Sequence, residues 1–100
     1  MPDIEFEWDH RKDAQNRRKH GVSFEEAKTV FLDENGLLVA DPDHSRYEER
    51  FILLGLSNSL RALVVCHCYR HDRGVIRIIS ARKATAQERT LYEQAHEKPS

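Results

Sequence analysis

Nowhere does the sequence carry a long apolar run. The longest, Phe51-Ile52-Leu53-Leu54-Gly55-Leu56 and Ala62 to Cys66, fall far short of the roughly 18 residues that a membrane helix requires. Met1-Pro2-Asp3 begins no secretory signal, so the expectation is a cytoplasmic protein with no membrane association. Cysteine is scarce as well. Cys66 and Cys68 stand two apart on one expected strand, where their side chains point the same way and are poorly placed to bridge each other; they read as reduced, small apolar residues. Cys66-His67-Cys68 alternates across that strand, so its three side chains cannot converge, and no CxxC spacing occurs, which argues against a structural zinc site. No metal and no cofactor are expected. Repeats and low-complexity segments are absent too.

Net charge is also nearly missing, at -1, but its distribution is uneven. Residues 10–20 carry Arg11, Lys12, Arg17, Arg18 and Lys19 against Asp13, and residues 67–83 carry Arg70, Arg73, Arg77, Arg82 and Lys83 against Asp72. Acidic residues dominate 1–9 and 21–60. Such a chain can present one basic face to a polyanion and an acidic face to a basic partner; ordinary solvated surface is the competing reading. One hundred residues with 39% hydrophobic content suit a single domain, 1–100, that buries about 65% of its unfolded surface.

The chain is organised around Ala62 to Thr85, which reads as two strands joined by a turn at Asp72-Arg73-Gly74. Before it, Asp3 to Trp8 alternates like a half-buried strand, with Ile4, Phe6 and Trp8 on one side. Asp9 caps a helix running to His20, and Gly21 suits the left-handed position beyond its end. Ser23 to Glu26 forms a capping box for a second helix with Phe24, Ala27, Val30 and Phe31 as its core stripe. Strands at 37–40 and 51–56 flank the turn-rich loop at 41–45. Thr85 to Glu88 is a second capping box, opening a helix to His96 with Leu91, Tyr92 and Ala95 inward. The order β-α-α-β-β-β-β-α implies an α+β fold: a mostly antiparallel sheet, a meander of the four later strands, two N-terminal helices and one C-terminal helix.

Several phrases then stand out together. Trp8-Asp9, Lys12, Asn16, the run Lys19 to Ala27, the Asp41 to Ser45 loop, Glu49-Arg50, Ile78 to Ala84, Glu88-Arg89 and Tyr92 resemble BrnT-type toxins over nearly the whole chain. His10-Arg11 stands where relatives often carry proline after Trp-Asp. The resemblance implies a compact RelE-like ribonuclease domain. It also implies the toxin of a type II toxin-antitoxin pair, neutralised by a small DNA-binding antitoxin of the BrnA kind in a hetero-oligomer. Contact with DNA would come only through the antitoxin, which is expected to cover the basic face.

RNA can be cut without a metal when its 2′-hydroxyl attacks the adjacent phosphorus, given groups that move protons and cations that stabilise the added charge. His67, on a rigid strand, is the first candidate for acid or base, against a core histidine bonded to a neighbour. His20 is the second, against a polar helix cap. Arg70, Arg77 and Arg82 are candidates for phosphate contact, against structural ion pairs, and Lys12 adds charge from the first helix. Lys19, Ser80, Lys83 and Tyr92 are candidates for RNA binding; for Ser80 a backbone bond competes, and for Tyr92 simple packing. Trp8 reads as core. A non-catalytic nucleic-acid-binding or co-repressor module acting with the antitoxin is the alternative function, and a purely structural interaction domain the third.

Overall fold

The computed structural model describes residues 4–41, 49–70 and 74–96. Its elements are β1 (Glu5–Glu7), α1 (His10–His20), α2 (Phe24–Thr29) running into a 3-10 turn at Val30–Leu32, β2 (Leu37–Ala40), β3 (Arg50–Leu56), β4 (Ala62–Arg70), β5 (Val75–Lys83) and α3 (Ala86–His96). The expected α+β order is therefore observed, and the five strands lie in the order β1-β5-β4-β3-β2. The four later strands make the antiparallel meander. β1 is different: it joins the far edge by pairing parallel to β5, Glu5 to Glu7 against Val75 to Arg77.

Local chemistry sets the helix ends. Asp9 accepts from the Arg11 and Lys12 amides, and Gly21 closes α1 at φ 69° with its N–H donating to the Arg17 carbonyl. Ser23 Oγ accepts from the Glu26 amide at 3.1 Å. The returning arm of the expected capping box is not made there, because the Glu26 carboxylate instead receives Arg61 and the Ser57 hydroxyl. At α3 the box closes both ways, Thr85 N–H to Glu88 at 2.8 Å and Glu88 N–H to Thr85 at 3.1 Å. The turn expected at 72–74 lies outside the described residues except for Gly74, which has a φ of 64°. The loop at 41–45 is described only at Asp41.

One sheet face is covered over its middle by the N-terminal helices. Val22, Phe24, Ala27 and Val30 from α1's exit and α2 bury Leu53, Leu63, Val65, Ile78 and Ala81, with Phe6, Trp8 and Phe31 packed at the margin. Trp8 meets Phe24 edge-on at 6.1 Å, as expected of a core residue. The opposite face is only half covered. There α3 sets Tyr92 on Leu54, Val64 and Ala84, while Leu91 and Ala95, expected inward, face solvent. Both cysteines are thiols.

Along β5 the pairing slips by one residue: Cys66 faces Ser80, His67 faces Ile78, and Ile79 opposes nothing. This bulge lets Ile78 and Ala81 share the helix-covered face although two residues stand between them.

Candidate active site

Side chains alternate across a strand, so the neighbours of buried Val65 and Ala81, namely Val64, Cys66, Ser80 and Arg82, look out on the half-covered face. Beyond the reach of α3 they floor a cleft of about 260 Å³ whose walls are His20, Asp41 and Arg50. A second cleft of about 270 Å³ is lined by Lys12, Gln15, Asn16, Lys19 and again His20, Ile79 and Ser80. Because those last three line both, the two spaces adjoin at His20 and Ser80.

The helical half of this groove follows from spacing. Lys12, Asn16 and His20 recur at every fourth position and so lie on one stripe of α1. Asn16, buried to 7% exposure, binds that stripe to β5: its Nδ2 donates to the carbonyls of Ala81 at 2.7 Å and Val22 at 2.8 Å, and its Oδ1 accepts from the Ala81 amide at 3.1 Å.

The strand half is set electrostatically. Arg82 Nη1 and Nη2 reach the two Glu88 oxygens at 2.7 and 3.0 Å. This fork, followed by the Thr85 amide bond, drives the Glu88 carboxyl down to about 2, and the Arg82 guanidinium is correspondingly held protonated.

Five of the sequence candidates thus meet: Lys12, Lys19, His20, Ser80 and Arg82. The others lie elsewhere. His67 is fully buried on the helix-covered face, edge-on to Phe31 at 4.7 Å and Tyr69 at 5.4 Å. Its Nδ1–H donates to the Val65 carbonyl at 3.2 Å, and Nε2 is buried with no partner. Burial pushes the imidazole's pKa below its ordinary value, outweighing the Val65 bond. In this fold His67 is a core residue and lines neither of these two clefts, which is the placement weighed in the sequence against its choice as acid or base.

Arg77 and Arg70 converge on Glu7, at 2.9 and 3.6 Å, at the β1 end of the hairpin. Those are the structural ion pairs weighed against phosphate contact. The Tyr92 hydroxyl donates to Asp33 Oδ2 at 2.5 Å, beneath α3 rather than into the groove, and burial with that bond raises its pKa to about 12. Lys83 is exposed and helps hold the Glu26 carboxyl low. Sequence reasoning missed Gln15, Asp41 and Arg50 as groove residues; the Asp41 loop and the Glu49-Arg50 pair were visible only as family phrases.

A mixed sheet with helices placed in this way is also the fold of the Brucella abortus ribonuclease toxin BrnT, whose crystal structure superposes with a TM-score of 0.61 at 21% identity over 83% of this chain and 99% of that one. Residues 8–88 match the family described as ribonuclease toxin, BrnT, of type II toxin-antitoxin system. The chain belongs to the BrnT family. No curated protein sequence matches it.

Proposed function

We propose that this chain is a metal-independent endoribonuclease toxin that cuts RNA in the groove between α1 and β5, inhibits translation in the cytoplasm, and is neutralised by a BrnA-like antitoxin in a hetero-oligomer. The observation that carries this reading is the meeting of an imidazole, a hydroxyl and several cations around one groove, at His20, Ser80, Arg82, Arg50, Lys12 and Lys19. His20 suits the proton transfers, since an imidazole nitrogen can take up a proton or give one. Arg82, held by Glu88 through Nη1 and Nη2, has its Nε–H and second Nη2–H edge left for the non-bridging phosphate oxygens as charge builds on phosphorus. Lys12 and Lys19 attract the backbone on either side of the scissile bond, and Ser80 offers a hydrogen bond at the groove floor. The side chains themselves supply the positive charge that a metal supplies in other nucleases.

The test is cleavage of a defined messenger RNA by the purified chain in the presence of a chelator, with His20→Ala alongside. The expected result is cutting by the wild type and a loss of about 100-fold or more in the variant. Binding of RNA with no change in its length would replace this reading with that of a binding module.

A further inference from the structure

We infer that Asn16 is a positioning residue of this groove, the part that aligns its helical half with its strand half; the inference rests on the reading of the groove given above. Asparagine is a poor helix former, yet this one sits mid-helix and almost fully buried. Its place is explained by the edge of β5. β1 pairs with β5 only as far as Arg77, so the backbone at Ala81 has no strand on that side. The Asn16 amide stands in for one, giving a hydrogen to the Ala81 carbonyl and taking one from the Ala81 amide, while its second hydrogen goes to the Val22 carbonyl.

The consequences reach both walls. Ala81 is flanked by Ser80 and Arg82, so fixing its peptide fixes the two groups that point out of the sheet on the far side. Lys12 and His20 lie one turn either way along α1, and the bond to Val22 ties down the chain just after His20. No other side chain type of this size makes all three bonds: aspartate lacks the two donors and would set an anion against two carbonyls, while leucine would leave all three backbone groups unpaired. Asn16 itself touches no reacting atom in this scheme.

The experiment compares Asn16→Asp with Val30→Ala, a core truncation of α2's 3-10 extension far from the groove, each assayed well below its own melting temperature. Two readouts are taken, RNA cleavage and the nuclear magnetic resonance signals of the His20 ring and the Ser80 amide. A positioning role predicts about 100-fold slower cleavage in Asn16→Asp, the scale of a reacting group displaced by about an ångström, with His20 and Ser80 signals moved or broadened. Val30→Ala should keep both readouts near wild type. Equal behaviour of the two variants would overturn the inference. Should Asn16→Asp not fold, Asn16→Ser, which leaves room for a bridging water, is read in the same way; unfolding of both would overturn it by making Asn16 a determinant of the whole fold. If the wild type cuts no RNA, the ribonuclease reading fails on its own, and the resonance comparison still decides the clamp.

Discussion

Arg82 and Glu88 face each other as a two-pronged pair, and the same Glu88 carboxylate also accepts the Thr85 amide that begins α3. One carboxylate therefore caps the start of a helix and aims a groove cation. Its pKa is depressed to about 2 from the 4.5 of an ordinary glutamate, so the folded state binds this proton more weakly than the unfolded chain does. The stabilisation is present above pH 4.5 and lost as pH falls toward 2. Denaturant titrations between pH 6 and 2 should show an acid-dependent loss in the wild type that is smaller in Glu88→Gln, which should already be less stable at pH 7.

The buried imidazole of His67 behaves in the opposite chemical sense but with the same pH direction. Its folded pKa lies below the ordinary 6.5, so below that pH the unfolded chain takes up a proton that the fold excludes. Stability falls with acidification, by up to about 1.4 kcal/mol per pH unit from this group. His67→Phe should remove this component, flattening the stability profile between pH 6.5 and 5, and should cut RNA at close to the wild-type rate. A large loss of cleavage in a folded His67→Phe protein would return the ring to the mechanism.

Lys12 and Lys19 are exposed on the groove side of α1. Replacing each with alanine should weaken single-stranded RNA binding without changing the melting temperature by more than a degree or so. The slope of log affinity against log salt should drop by about 0.7 for each phosphate contact removed. Fluorescence anisotropy across a salt series measures it.

Tyr92 gives a test of α3's seat. Tyr92→Phe removes the hydroxyl from Asp33, whose Oδ2 also accepts the Leu56 amide, and should cost about 1 kcal/mol with cleavage unchanged. In the wild type the hydroxyl ionises only near pH 12. Because the unfolded phenol ionises near 10, this contribution is intact below pH 10 and fades as pH rises toward 12; ultraviolet absorbance of the phenolate follows it.

How much of this was written in the sequence depends on how local each signal is. The Asp9 cap, the Gly21 stop and the Thr85/Glu88 box were legible because each is settled within about one turn of chain. Glu26 misled for the complementary reason: its motif promised a local bond, and the carboxylate went to Arg61, 35 positions away. Asn16 stood out only as one of the family phrases, with no role attached, since nothing nearby announces an unpaired strand edge. His67 showed a strand residue without showing which face it took, and the polar candidates that did converge came from α1 and β5, segments about 60 residues apart in the chain. The parallel pairing of β1 carries no signature within its own three residues.

Ile79 invites a last comparison. It has no opposite number on β4, and both clefts border it. Were it deleted, Ser80 would still face Cys66 and Ile78 would still face His67, so every other residue of the hairpin would keep its orientation and the core its contents. What would go is the local bend and extra twist that a bulge imparts. The pairing of the hairpin is thus indifferent to this residue while the hollow depends on it, and a shortened chain lacking Ile79 would separate the ability to fold from the possession of that hollow.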